Sequence, residues 1–250
     1  MPRVREEAVC LFEREWSETS QIACLFTRAS GLVNGLAKGS RRGSSSFDGG
    51  IEPLTIGEVV FVPSRSRELL TLTEWSTLEA LPRLRRDLPA LAAASFAADA
   101  TRALLAPFDP HPALYDRLRR CLATLADRDR SRARLPLEAA LAAVGYVWDA
   151  VRDCGHGFEP PPDADLDRAE TFGFDPEQGS FTASPAGERS AQTWAVRVGT
   201  PRLLSSESPE SVRGDHAAGA ARFLAAWIDY RVGKSLPSLR LLTRLVAESP

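Results

Sequence analysis

The stretch from Leu25 to Arg42, LFTRASGLVNGLAKGSRR, constrains the fold more than any other part of this chain. Apolar and small residues alternate, break at Ser30-Gly31, alternate again, and end in Lys38, Arg41 and Arg42 around Gly39. Alternation on both sides of a small-residue break predicts two short strands joined by a tight turn. The basic cluster then lies at the rim of their sheet. No acidic residue occurs between Glu18 and Asp48, so Arg28, Lys38, Arg41 and Arg42 have no neighbour in sequence to neutralise them. Unopposed charge beside a small β-structure suits a phosphate-backbone surface. It equally suits an edge strand kept soluble by basic side chains, and charge alone does not choose.

The flanking sequence extends the pattern. Strand-like runs cover residues 8–14, 21–27, 31–38, 54–62 and 69–75, separated by Ser17-Glu18, Ser30-Gly31, the Ser/Gly-rich segment 39–50 and Pro63-Ser64. Five short strands in so few residues match an OB-fold, a five-stranded barrel that commonly binds oligonucleotides. Periodicity does not separate it from an SH3-like barrel.

Beyond Leu81 the apolar period becomes helical. Leu84, Leu88, Leu91, Ala92, Ser95 and Phe96 share one face, with Asp87 placed to cap the start. Leu114, Leu118, Cys121, Leu122 and Leu125 form a second stripe, and a third helix is predicted over about 137–151. The charged segment 127–134 reads as a solvated loop. Residues 152–215 are rich in Pro, Asp, Ser and Gly and read as an irregular insert, after which helical order returns over 216–230 and 237–246. The expected class is α+β multidomain: a five-stranded barrel, OB-fold or SH3-like, over 1–79, an all-α domain over 80–151, the insert over 152–215 and C-terminal helices over 216–250.

The formal charge of −2 conceals local asymmetry. Residues 81–135 carry eleven basic and six acidic side chains, whereas 153–188 carry one basic and nine acidic, so the local distribution matters more than the whole-chain value. Arg83, Arg85 and Arg86 form a second basic cluster where strands give way to helices, and Arg117 and Arg120 lie at i, i+3 spacing on the second helix. The cysteines, at positions 10, 24, 121 and 154, show no disulfide spacing and read as small buried hydrophobes. The N-terminal residues lack an apolar signal core, and no apolar run approaches the ~18 residues of a membrane span. A cytoplasmic protein without membrane contact is expected.

No catalytic motif emerges. Gly233-Lys234 lacks the upstream glycine spacing of a phosphate-binding loop, and GxSxG, HExxH and GxGxxG are absent. The DADLD run at 163–167 lacks the glycine and terminal glutamate of a calcium loop. A non-enzyme without cofactor is expected, and what remains is binding. Among Phe12, Phe26, Phe47 and Phe61, three sit inside apolar runs and read as barrel core. Phe47, following three serines beside Arg41-Arg42, reads as the base-stacking candidate.

The same residues carry a family resemblance. Glu18, LFTRASGLVNGLAKGSRRGSSSF, Pro53-Leu54 and the TLTEW of 71–75 resemble the N-terminal part of RecO, the bacterial recombination mediator family. Leu137-Glu138, Leu141, Gly145-Tyr146 and Asp153-Cys154-Gly155, then Arg231 to Leu236 with Ser238-Leu239-Arg240, resemble its later motifs in order. The resemblance favours the OB-fold and implies last helices that pack back on the helical domain. It implies annealing of single-stranded DNA, displacement of single-strand-binding protein, and, with RecR, loading of RecA. The DNA-contact candidates are then Arg28, Lys38, Arg41, Arg42, Phe47, Arg83, Arg85 and Arg86. The acidic, apolar-ended tail of single-strand-binding protein would meet Arg117 and Arg120 beside Leu114 and Leu118. Relatives often carry a four-cysteine zinc site in the insert. Only Cys154 is kept here, with His156 two residues on, so no metal is expected. Two alternatives stay open: a general RNA- or DNA-binding OB-fold protein, and a protein-only adaptor that has lost DNA contact.

Overall fold

The computed structural model describes residues 3–63, 69–127, 135–161, 163–167, 169–182, 193–205 and 214–248. The chain divides into two compact units, one formed by residues 1–86 with 105–127 and the other by 87–104 with 128–250.

The first unit is built on five strands, β1 (Val4–Ser17), β2 (Ser20–Thr27), β3 (Gly31–Ala37), β4 (Ile56–Val62) and β5 (Leu70–Glu79). They close in the order β1-β2-β3-β5-β4, and β4 returns to β1. Every pairing is antiparallel except β3 with β5, where Gly35, Leu36 and Ala37 run beside Leu70, Thr71 and Leu72. This closed order with one parallel seam is the five-stranded OB arrangement, and it removes the free sheet edges that would invite pairing with other chains. Alternation fills the inside with Ala8, Cys10, Ala23, Leu25, Val33, Val59, Phe61 and Leu72. Gly35 is required at the seam, because a Cβ there would lie 2.4 Å from a Leu72 methyl.

Two sequence expectations fail inside this barrel. Phe47 is not an exposed platform: it is 4% exposed and belongs to the barrel core. Its loop folds back over the end of the barrel, where the Trp75 amide donates to the Ser46 carbonyl at 2.8 Å and Gly50 N–H to the Phe47 carbonyl at 2.8 Å. Phe12, read as core, is instead 39% exposed. A register shift between Cys10 and Phe12 moves it to the outer face opposite Cys24, away from the interior where Cys10 points.

After β5 comes the single turn α1 (Pro82–Arg85), whose Leu84 is buried. The helix α3 (Pro112–Ala126) also belongs to this unit, although residues 80–151 were expected to form one helical domain. Its apolar stripe is used against the barrel. Leu114, Tyr115, Leu118 and Leu122 are fully buried, and the Tyr115 ring meets Phe26 edge-on at 5.5 Å between centroids. The Tyr115 hydroxyl donates to the Glu7 carboxylate at 2.9 Å, and Arg119 bridges Glu7 and Glu79. Burial and the Glu7 carboxylate together raise the Tyr115 hydroxyl far above its ordinary value. The chain enters α3 past Gly31, which has φ +71°, and a Cβ there would stand 2.1 Å from the Asp109 carbonyl oxygen.

The second unit contains α2 (Leu88–Leu104), α4 (Leu135–Asp153), α5 (Asp163–Leu166), a three-stranded sheet, α6 (Gly199–Ser205), α7 (Gly214–Val232) and α8 (Leu239–Ala247). Asp87 caps α2 by accepting from the Ala90 amide at 3.1 Å. The alanine-rich α2 packs closely with α4, and α7 and α8 lie against both. Asp99 on α2 accepts from the Ser238 amide and hydroxyl at 3.1 and 2.7 Å, fixing the start of α8.

The insert is more ordered than its composition suggests. The strands β6 (Thr171–Asp175), β7 (Ser180–Thr182) and β8 (Trp194–Arg197) pair antiparallel in the order β7-β6-β8. Their apolar face carries Phe172, Phe174, Phe181 and Trp194; Phe172 meets Phe181 at 6.3 Å, and Phe174, Phe181 and Trp194 meet Phe158, Phe223 or Trp227 with centroids 4.9 to 6.5 Å apart. Such edge-to-face contacts add to the burial of each ring. Residues 183–192 and 206–213 of the expected insert, and 128–134 of the expected loop, lie outside the described residues. No helix among the described residues is long and apolar enough to cross a membrane.

Candidate nucleic-acid interface

Hydrogen bonds bring the basic loop after β3 to the hairpin turn between β1 and β2. Gly39 N–H donates to Ser20 Oγ at 3.2 Å and Arg41 N–H to the Thr19 carbonyl at 3.1 Å. Beneath them, the 3% exposed Gln21 satisfies its whole amide group. Its oxygen accepts from Ile51 N–H at 3.0 Å and Ser40 Oγ at 2.9 Å. Its nitrogen donates to the Ile51 carbonyl at 3.0 Å and to Glu13 at 2.8 Å. A buried amide with all its bonds made fixes one loop geometry, because any other leaves an unpaired polar group. Turns at Gly39–Arg42 and Arg42–Ser45 then aim the side chains.

The result is a cleft of about 410 Å³ lined by Trp16, Ser20, Leu36, Lys38, Gly39 and Arg42. Lys38 and Arg42 are exposed, and neither forms an ion pair with any described residue. Arg41 differs. It reaches Glu13 at 3.7 Å and hydrogen-bonds Glu15, which raises its pKa further above the ordinary value. The sequence cluster of three cations therefore presents two.

Elsewhere on this unit the expected DNA-contact arginines are engaged. Arg28 is held by Asp116, Arg83 lies 3.5 Å from Asp127, and Arg85 pairs with Glu52 and donates to the Pro53 carbonyl at 3.2 Å. Arg86 is exposed. Away from the cleft, Arg3 and Arg5 join Glu58 and Glu74 across β1, β4 and β5. An exposed ion pair contributes little to stability but cancels the field that a phosphate would feel. The structure brings together Lys38 and Arg42 and scatters Arg28, Arg83 and Arg85 around the barrel.

The expected partner groove on α3 is closed. Leu114 and Leu118 are 0% exposed, so they offer no apolar floor to a peptide. Arg117 is half-buried, and the exposed Arg120 adds to the positive field that lowers the Asp116 pKa, an effect led by the Arg28 hydrogen bond.

Sequence reasoning missed Trp16 and Arg14. Trp16 is 59% exposed, the largest exposure among the big apolar side chains of the described residues, and Arg14 is exposed on the same strand. The signal was Trp16 lying between Glu15 and Ser17 in a strand end where polar residues predominate.

In the second unit, Cys154 and His156 were the remnants of a possible metal site. Among the described residues no three His, Cys, Asp or Glu side chains come together to hold a metal ion. His156 Nδ1 is buried without a hydrogen-bond partner, while the His156 carbonyl accepts from Trp227 Nε1 at 2.7 Å. Burial, reinforced by the Arg231 charge, holds this imidazole below its ordinary pKa. One cysteine and one histidine do not fit a tetrahedral zinc site, and aromatic rings occupy the space between α4, the sheet and α7.

Comparison with known proteins accords with this barrel-then-helices organisation. The family model described as "Recombination protein O N terminal" matches residues 1–81, and the one described as "Recombination protein O C terminal" matches 85–240. A DNA repair protein RecO from an Anaeromyxobacter species is 28% identical over 256 residues, covering 96% of this chain and 95% of the relative. The one from Salinibacter ruber is 39% identical over 112 residues, covering 45% of this chain and 43% of that relative. The one from Pelotomaculum thermopropionicum is 28% identical over 156 residues, covering 62% and 60%. With both family models matched in order along nearly the whole sequence, the chain belongs to the RecO family of DNA repair proteins.

Proposed function

We propose that this protein binds single-stranded DNA at the Lys38–Arg42 cleft and promotes annealing of complementary strands. Acting with RecR, it would then help to load RecA on strands coated by single-strand-binding protein. The observation that carries the reading is the pairing of two exposed, acid-free cations with an open cleft at one end of an OB barrel. Annealing requires no reacting side chain. It requires phosphate repulsion to be screened while base edges stay accessible, and cations fixed by a rigid loop meet that need. RecR, RecA and the single-strand-binding protein enter through the family resemblance.

An annealing assay with complementary oligonucleotides at two salt concentrations tests this. Annealing that weakens as salt rises supports it; no salt-sensitive binding of nucleic acid would refute it. A protein-only adaptor has one observation in its favour: Arg3, Arg5, Arg28, Arg41, Arg83 and Arg85 are all paired with carboxylates. That second reading predicts partner binding without any DNA binding. Parallel titrations with RNA and DNA of one sequence separate a general oligonucleotide binder from a DNA-directed one.

A further inference from the structure

Trp16 occupies an unusual position in β1. The β1–β2 register runs Phe12↔Cys24, Glu13↔Ala23, Arg14↔Ile22 and Glu15↔Gln21, then shifts to Ser17↔Ser20. Trp16 is the extra residue at that shift. Such a bulge turns a side chain out of the regular pleat, and bulges recur beside functional sites for that reason. Here the displaced side chain is an indole left 59% exposed on the wall of the cleft that holds Lys38 and Arg42. A single exposed apolar side chain is common on a protein surface; Trp16 is set apart by lining a cleft together with two cations. Leu36, half-buried in the same cleft, supplies an apolar floor. The cleft volume of about 410 Å³ falls within the ~300–1,000 Å³ of small-ligand sites.

We infer that this cleft is a nucleotide subsite in which an unpaired base stacks on the Trp16 indole while Lys38 and Arg42 hold the adjoining phosphates. The inference deepens, and rests on, the single-strand-binding reading. Indole stacking requires a base face free of its neighbours, which a duplex does not offer. Trp16 therefore distinguishes single-stranded from double-stranded nucleic acid, whereas the two cations serve both. The outer face of β1 extends the track, since Phe12 and Arg14 both point outward two residues apart. Arg14 forms no ion pair with any described residue.

The test uses the full chain and an oligo-dT single strand with a duplex of equal length. Trp16→Ala weakens dT binding by roughly 5- to 160-fold, the range for losing one stacked base, with duplex affinity and the salt slope of binding unchanged. Trp16→Phe, which keeps an aromatic face, retains most of the affinity. It also removes the tryptophan quenching that dT produces in the parent, because of the other four tryptophans Trp75, Trp148 and Trp227 are buried and Trp194 is half-buried in the aromatic cluster of the other unit. If the parent binds dT and Trp16→Ala binds it equally well, or if quenching persists in Trp16→Phe, the stacking subsite is overturned while the DNA-binding reading stands. If the parent binds no dT at all, both fall. A circular dichroism spectrum like the parent's confirms that each variant is folded.

Discussion

Arg28 faces Asp116 through two hydrogen bonds of 3.0 Å each, Nε to one carboxylate oxygen and a terminal nitrogen to the other. A fork-to-fork pair of this kind fixes orientation as well as charge. It ties the β2–β3 turn to α3 and removes from the DNA-facing set a cation that sequence alone would place there.

The cations therefore divide into engaged and available, and charge changes should separate them. Lys38→Glu with Arg42→Glu weakens single-strand binding regardless of sequence and flattens the log affinity–log salt slope by about 0.7 per lost contact. Arg28→Ala leaves that slope unchanged. Filter-binding or fluorescence titrations from low to moderate salt measure both; equal slopes for Lys38/Arg42 variants and parent would show that these residues only keep the rim soluble.

The α3 stripe is buried within the barrel unit, with Tyr115 against Phe26. Leu118→Ala removes a fully buried side chain, and the loss should be about 2–5 kcal/mol of barrel-unit stability. Tyr115→Phe, which keeps the ring and deletes only the hydroxyl bonded to Glu7, should cost about 1 kcal/mol. Urea titrations followed by far-ultraviolet circular dichroism report both. Comparable losses from the two changes would contradict the packing described for α3.

Gly31 tolerates no side chain. With φ +71° and the Asp109 carbonyl oxygen 2.1 Å from an ideal Cβ, Gly31→Ala should destabilise by at least the ~1–3 kcal/mol typical of one strained backbone position. A melting temperature equal to the parent's would mean that the β2–β3 turn relaxes freely.

His156 makes the second unit acid-sensitive. Burial comes first and the Arg231 charge second in depressing its pKa below the ordinary 6.5. The unfolded chain therefore binds a proton that the folded chain resists, so stability rises with pH through this window. The contribution is complete above about pH 6.5 and is lost as pH falls toward and through the folded value. Scanning calorimetry at a series of pH values should show a falling melting temperature below neutrality and a shallower fall in His156→Asn. Parallel profiles would locate the acid sensitivity elsewhere.

The aromatic cluster of the insert is held together by close packing of its rings. Phe174 is 0% exposed, and Phe174→Ala should cost about 3–5 kcal/mol. A chelator should leave the parent's melting temperature unchanged. A chelator-induced drop, or about one zinc per chain by elemental analysis, would show that metal shares the task.

What the sequence revealed and what it concealed follow from the reach of each signal. Alternation marks β1 to β5 because each strand has one face in the barrel, and the break at Ser30-Gly31 falls where Gly31 must adopt positive φ. Alternation also assumes an unbroken pleat, so the shift after Cys10 reversed the reading of Phe12. The bulge at Trp16 likewise gave no periodic signal. Phe47 was misread because a Ser/Gly-rich segment looks solvated, while its fate depends on the buried amide of Gln21 and on Trp75, both distant in sequence. The α3 stripe was legible as a buried face, but an apolar face does not name its partner. Two of the three clustered cations proved available because Glu13 and Glu15, on another strand, claim the third.

The path of the backbone has a consequence for dividing the protein. The chain leaves the barrel unit after Arg86, contributes α2 to the other unit, returns at Leu105 for α3, and departs again after Asp127. No single cut yields both units whole. A fragment ending near residue 80 loses α3 and uncovers Phe26, whereas one ending at 127 carries α2 without the helices it packs against. Each half is incomplete without a piece lying beyond the other's boundary, so a truncated version of this protein always leaves one unit unfinished.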